Sequence, residues 1–320
     1  MAQKKDLDYY YAQTRRIAAH REAGAERIIR KIYKHMLKDL QHFVADTYVQ
    51  YSQNGQLTFA MLERYGYNAR YLEEIEQRIS VATPKAAQEL QQLVEETYEI
   101  MYQGIIDGVI ASNTIGLDAA FGYSLKLTPE TIRAAVFNPV ANIALAKNHA
   151  AMLYDIKQIV AVGLMNGDRY TTMAQRIAQK IDGGYNSAVR IARTEAHRVR
   201  EAGNADAALS VDNELKNGTS GLRMVKIWRT MKDERVRPQR RKKGKSGWST
   251  SMGRGANHMI MEGQVVLADE LFNLKDGHKT KAPGQSGVAA HDINCRCICV
   301  NRMMTDEEFF KATGRHFPKK

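Results

Sequence analysis

Gly218-Thr219-Ser220-Gly221, followed shortly by Val225-Lys226-Ile227-Trp228, is where this chain changes character. The first run has the glycine and serine density of a loop, and the second the β-branched and aromatic content of a short strand. Upstream, residues from about 7 to 160 read as helix, with apolar side chains recurring every three or four positions through Ile17, Ile28, Ile32, Met36, Leu40 and Val44. Thr83-Pro84 and Thr128-Pro129 mark two helix starts, since Thr can cap orphan N–H groups and Pro fits the first turn. Asn166-Gly167-Asp168 is a turn, and a helix then runs from Thr171 through Met173, Ile177 and Ile181. Gly183-Gly184 is expected to break it, with a second helix from about Ser187 to Leu209. Downstream, Gln264-Val265-Val266-Leu267 repeats the strand signature. Thr305-Asp306-Glu307-Glu308 is a capping box opening a last helix that stops at Gly314. The expected fold is therefore α+β: a long, mainly α-helical N-terminal region (1–160), then a smaller α+β domain with short strands (161–302). A short C-terminal helix and tail (303–320) follow.

At 320 residues and 44% hydrophobic content, the chain can bury two cores. A formal charge of +12 makes a polyanion the first partner to consider, either nucleic acid or an acidic protein surface. No apolar run approaches the roughly 18–20 residues a membrane span needs. The N-terminus lacks the apolar core of a signal peptide, so the cysteines are expected to be thiols in a reducing cytosol. Tyrosines crowd the N-terminal half (Tyr9, Tyr10, Tyr11, Tyr33, Tyr48, Tyr51 and others), which suits either half-buried helix packing or an interface.

All three cysteines fall within His291-Asp292-Ile293-Asn294-Cys295-Arg296-Cys297-Ile298-Cys299. On one strand the three thiols and His291 would share a face. Thiolate and imidazole suit tetrahedral zinc, and His258 could donate from elsewhere, although three cysteines on one strand strain that geometry. The other reading is small buried cysteines packing in a strand, with Asn294 and Arg296 as polar anchors. A Cys295–Cys297 disulfide has poor geometry. On the helix before the glycine loop, Arg193, His197, Arg200 and Asn204 share a face, and Glu195 can pair with Arg198. That face reads either as a polar constellation meeting the strands or as a solvated charged surface.

The densest positive run, Arg235, Arg237, Arg240, Arg241, Lys242, Lys243 and Lys245, lies in an expected loop (235–248) ending near Trp248. Such a loop binds phosphates by counterion release without reading bases, and the alternative is a basic loop that only aids solubility. Zinc-finger and helix-turn-helix spacings are absent, as are the Gly-Lys-Ser phosphate loop, G-x-S-x-G and H-E-x-x-H. Asp233, His258, Glu262 and His291 could form an acid–base set only if the fold brought them together.

The order of these pieces resembles the phage Mu F-like minor head, or head morphogenesis, family. It comprises Ile191-Ala192-Arg193-Thr194-Glu195 with Arg198 and Asn204, then Lys226-Ile227-Trp228-Arg229-Thr230 with Asp233 and Arg235. His258, Glu262-Gly263, Phe272, Pro283-Gly284 and Ile293-Asn294-Cys295-Arg296-Cys297 complete it. The resemblance covers roughly residues 165–302 and implies that Arg193, Glu195, Arg198, Asn204, Trp228, Asp233, Arg235, His258, Gly263, Asn294, Cys295, Arg296 and Cys297 form a structural network. It further implies a non-enzymatic minor capsid protein of a tailed phage, inside the head and in the host cytoplasm during assembly. The implied partners are the portal, with the major capsid or scaffolding protein as a further one, and double-stranded DNA bound non-specifically; no membrane partner is implied. No cofactor is expected, zinc on His258, His291, Cys295 and Cys297 being the alternative. Some relatives carry a toxin or transferase domain after the head domain, and the roughly 18 residues after Arg302 are too few for one. The chain departs from the family at Val236-Arg237 and its long basic insertion, and at Cys299, which is extra. An enzyme of nuclease or ADP-ribosyltransferase type, or a zinc-stabilised binding module, are the competing readings.

Overall fold

The computed structural model describes residues 6–112, 125–231, 239–243, 247–251 and 256–318. Its helices are α1 (Leu7–Tyr51), α2 (Phe59–Glu63), α3 (Asn68–Ser80), α4 (Ala82–Ser112), α5 (Pro129–Val136), α6 (Pro139–Asn166) and α7 (Tyr170–Asn217). Strands β1 (Leu222–Arg229), β2 (Gln239–Lys243), β3 (Gly247–Ser251), β4 (Val265–Leu267), β5 (Phe272–Asn273) and β6 (Lys279–Thr280) follow. The short helix α8 (Ala289–Asp292), strand β7 (Ile298–Thr305) and helix α9 (Asp306–Thr313) close the chain. The expected α+β class holds. Among the described residues, no helix is long and apolar enough to cross a membrane.

Local signals set several boundaries where expected. Thr128 accepts from the Thr131 N–H with Pro129 behind it, and Thr305 and Glu308 form a reciprocal capping box. Gly167 and Gly314 close α6 and α9 at φ 65° and 70°, a conformation that glycine adopts without a Cβ penalty. Two compact units emerge by packing: one joins Met1–Glu22, Val94–Phe137 and Arg193–Lys320, the other Ala23–Leu93 and Asn138–Ala192.

In the second unit the buried stripe of α1 runs through Ala25, Ile29, Tyr33, Met36, Leu40, Val44 and Tyr48. The expected stripe was one residue out at Ile28, which is exposed, as is Ile17 in the other unit. The neighbouring pair Ile28-Ile29 offers both registers, and the one that packs places Ile29 in line with the buried Ala25 and Tyr33. Gly183-Gly184 does not break α7, which is one helix of 48 residues. A Cβ at Gly184 would come within 2.6 Å of the Met152 sulfur, and its carbonyl accepts from Asn148 Nδ2 at 2.9 Å. Close approach of α6 accounts for this glycine, and a mid-helix glycine costs only about 1 kcal/mol.

In the first unit, β4, β1 and β7 form an antiparallel sheet in that order, with Trp228 opposite Cys299 and Ile227 opposite both Val265 and Val300. Central β1 is buried from Met224 to Trp228, so both of its faces are covered. Val225 and Ile227 pack with Leu267 and Phe309, under α9. On the other face Trp228 joins Met261, Phe272, Leu274 and all three cysteines. Helix α7 is buried on nearly every side from Glu195 to Asp212. Gly203 admits α4 there, since a Cβ would lie 2.6 Å from the Tyr98 carbonyl oxygen. Tyr98 and Tyr102 then bond Asp206 and Ser210 at 3.0 Å. Tyr11, Tyr33, Tyr48, Tyr71, Tyr98 and Tyr102 are all buried, so packing accounts for them, while Tyr9 and Tyr65 stay exposed.

Candidate functional site

Two assemblies form around the closing cysteine segment, both within the first unit. The first anchors β7. Glu201 of α7 is fully buried and receives the Cys299 N–H at 2.8 Å and Arg15 at 2.7 and 2.9 Å. Tyr11 donates to the Cys299 carbonyl, which also accepts from Asn204 Nδ2 at 2.9 Å. Asn301 reaches back to the Asn204 side chain at 2.8 Å and its carbonyl at 3.0 Å. Burial opposes the Arg15 charge, but Glu201 and Tyr11 outweigh it, so the guanidinium holds its proton more tightly than usual. Burial and then Glu201 push the Cys299 thiol up to about 12, which leaves it neutral.

The second assembly is a histidine–cysteine cluster. The expected single strand carrying all three thiols is not formed. His291 sits in α8, Asn294 turns the chain at φ 56°, Cys295 and Cys297 lie in irregular backbone, and β7 begins only at Ile298. Released from strand alternation, Cys295 and Cys297 turn toward His258, whose Nδ1 lies 3.7 and 3.5 Å from their sulfurs. His258 heads the 3-10 turn Met259–Met261 and stacks edge-on against Trp228. Its Nε2 meets His291 Nδ1 at 3.1 Å, and His291 Nε2 meets Asp276 Oδ2 at 2.7 Å. Burial disfavours the Asp276 charge, yet hydrogen bonds from His291 and His278 hold this carboxyl at about 2. Cys297, hydrogen-bonded to Cys295, is the chief cause pulling the Cys295 thiol well below its ordinary value, helped by His197 and His258. The same bond and burial push Cys297 up, so any thiolate sits on Cys295. All three cysteines are free.

The other expected residues divide. Glu195 and Arg198 pair at 2.8 Å, and Arg198 also caps the Val136 carbonyl at 2.7 Å. Glu262 receives the Thr230 N–H at 2.6 Å, and Gly263, at φ 79°, donates to the Trp228 carbonyl at 2.8 Å. Pro283-Gly284 packs on His197, whose Cδ2 would be 2.9 Å from a Cβ at Gly284. Asp292 holds that loop through the Ser286 and Gly287 N–H groups at 3.0 and 2.8 Å. Arg193 and Asn294 are exposed, Arg193 preceding the stretch where α7 becomes enclosed and Asn294 forming a turn tip at φ 56°. Arg296 is half-buried. Asp233, Arg235, Arg237 and Lys245 lie outside the described residues, as do the side chains of Arg240, Arg241, Lys242, Lys243 and Trp248. The basic segment is not wholly a loop: its backbone forms an antiparallel hairpin pairing Arg240 with Thr250 and Lys242 with Trp248. Of the expected acid–base set, Asp233 lies outside the described residues, Glu262 ties Thr230, His258 faces the thiols and His291 links His258 to Asp276. Glu201, Arg15, Tyr11 and Asp276 were missed. Glu201 had a signal, lying four residues after His197 on the same helix face; Arg15, 186 positions away, had none.

Residues 154–300 match the family described as Phage Mu protein F like protein. The chain carries a Mu F-like domain. Every member of the histidine–cysteine cluster and the anchoring residues Glu201, Asn204 and Cys299 fall inside it, whereas Tyr11 and Arg15 come from outside. The chain is similar to minor head protein GP7 of Bacillus phage SPP1, 27% identical over 280 residues, covering 86% of this chain and 81% of that protein. It is also similar to the NAD(+)–arginine ADP-ribosyltransferase EFV of Enterococcus faecalis, 25% identical over 232 residues, or 71% of this chain. That alignment takes in 42% of the transferase's length. No solved structure matches the chain. Around this Mu F-like domain, the cysteine phrase both fills the core beside Trp228 and carries the backbone that α7 holds.

Proposed function

We propose that this protein is a non-enzymatic minor capsid protein of a tailed phage. It works inside the head, binds the portal, and contacts packaged double-stranded DNA without sequence preference to assist assembly, packaging or ejection. The observation that carries this reading is the likeness to the SPP1 minor head protein, which extends over 86% of the chain and so includes the helical region as well as the Mu F-like domain. Glu201, Asn204 and Asp292 hold β7 and the Pro-Gly loop, a structural use of polar side chains that supports it too. Host cytoplasm is the place of assembly, and the major capsid or scaffolding protein is the further partner. Co-expression with the portal protein of the same phage tests the partner: a complex that survives size exclusion is expected, and its absence refutes portal binding.

DNA contact rests on the net charge of +12 and on the basic run around the β2–β3 hairpin. Neutralising Arg240, Arg241, Lys242 and Lys243 should weaken binding about equally for all sequences and flatten the salt dependence, by up to about 0.9 in log–log slope per lost phosphate contact. Binding that is indifferent to salt, or to these four changes, refutes it. The second reading, ADP-ribosyl transfer, is favoured by the transferase relative alone. Hydrolysis or transfer from NAD by the purified chain would establish it and overturn the non-enzymatic reading.

A further inference from the structure

The described residues hold one buried group of facing nitrogen and sulfur donors, His258, Cys295 and Cys297, whose ligand atoms all lie within 4.8 Å of one another. Its dimensions suit a particular guest. With bonds of roughly 2.0–2.1 Å to nitrogen and 2.3 Å to sulfur, a tetrahedral zinc ion separates its nitrogen and sulfur ligands by about 3.6 Å. The observed separations from His258 Nδ1 are 3.5 and 3.7 Å.

Outward from His258, the hydrogen bonds orient its lone pair. The Asp276 carboxylate only accepts, so it takes the His291 Nε2–H. In the tautomer with its proton on Nε2, His291 offers Nδ1 to the His258 Nε2–H, which leaves the His258 Nδ1 lone pair facing the two sulfurs. A hydrogen-bonded acceptor behind a metal-bound histidine fixes its tautomer; here that acceptor is His291, with the Asp276 carboxylate one step further out. A fourth protein ligand would have to come from His197, which stands beside Cys295 but outside the group of donor atoms that face one another. Its Nε2 is buried, has no hydrogen-bond partner among the described residues, and neighbours Cys295. Its Nδ1 faces Arg200 at 2.9 Å. Coordination through Nε2 places a proton on Nδ1, so Arg200 must turn to Glu22 and Glu201, already 3.3 and 3.6 Å away.

We propose that Cys295, Cys297 and His258 bind a single zinc-class divalent ion, with His197 of α7 turning in to complete the set, so that the metal locks the closing segment to the His258 turn and to α7. Binding displaces both thiol protons to solvent and changes no oxidation state. Thiolate ligands select this class over magnesium or calcium. Cys299 is excluded, since its backbone serves the Glu201 anchor and its thiol faces Asn301 Oδ1 at 3.6 Å.

The test is elemental analysis of the full-length protein purified without chelator, beside its Cys295→Ser, Cys297→Ser, His258→Gln and Cys299→Ser variants. About one zinc per chain is expected in the wild type and in Cys299→Ser, falling to near zero in the other three. Replacement by cobalt should give a thiolate-to-metal charge-transfer band in the wild type, a readout that does not depend on the variants folding. A folded wild type that is metal-free and takes up neither zinc nor cobalt overturns the proposal. Zinc retained at full stoichiometry in folded Cys295→Ser and Cys297→Ser, or cobalt bound without the charge-transfer band, overturns it equally.

Discussion

Replacing Glu201 by Ala should be among the most damaging single changes in the Mu F-like domain. The carboxylate has no exposure and accepts two hydrogen bonds from Arg15 and one from the Cys299 N–H. Its loss leaves a guanidinium with a side chain only 15% exposed and without its counter-charge, and a buried backbone N–H without an acceptor. Removing one partner of a buried pair costs about 3–5 kcal/mol, and the orphaned N–H adds about 1–3. In a chain of this size each kcal/mol lowers the melting temperature by roughly 2–4 °C, so a fall on the order of 10–20 °C is expected. Glu201→Gln, which keeps one acceptor oxygen for Cys299, should lose less. Pairing Glu201→Gln with Arg15→Met removes both charges, so the double variant should be more stable than the sum of its singles predicts, by about 1.5–3 kcal/mol. Thermal and urea unfolding of wild type, both Glu201 variants, Arg15→Met and the double variant measures this directly. Strict additivity, or an Ala variant within 2 °C of wild type (less than about 1 kcal/mol), would refute the view that this pair holds β7 to α7.

Two further outcomes follow from the same geometry. Gly284→Ala forces an alanine to φ 78° and a Cβ to 2.9 Å from His197, while Gly287→Ala at φ 74° meets nothing within 4 Å. Both should pay about 1–2 kcal/mol of backbone strain, and only the first should lose more, so equal melting temperatures would remove the His197 contact from the account. Asp276, held at about 2 against an ordinary 3.8, binds protons less readily folded than unfolded. Its stabilisation is therefore complete above about pH 4 and is lost as pH falls toward 2. Melting curves across that window should slope less steeply for Asp276→Asn than for wild type, and parallel slopes would count against the Asp276–His291 bond.

The legible part of this structure is the part written in neighbouring residues. Thr128, Thr305 and Glu308 announce caps because the groups they bond lie within three positions, and Val225–Trp228 announces a strand through its own side chains. The grouping of His258 with Cys295 and Cys297 was open to suspicion from ligand chemistry, but its geometry depends on the αL turn at Asn294, which moves both thiols off the strand. Gly184 reads locally as a helix breaker, and only the Met152 side chain across from it shows why it is tolerated. The anchoring of Cys299 by Glu201, Tyr11 and Arg15 joins positions up to 288 apart and leaves no local pattern. The residue that looked incidental to the cysteine phrase is the one whose backbone the domain grips.

The central claim concerns where the chain works, and the protein composition of purified procapsids and virions of its phage tests it most directly. Mass spectrometry should find this chain in both particles, at low copy relative to the major capsid protein. Its absence from both would contradict the account.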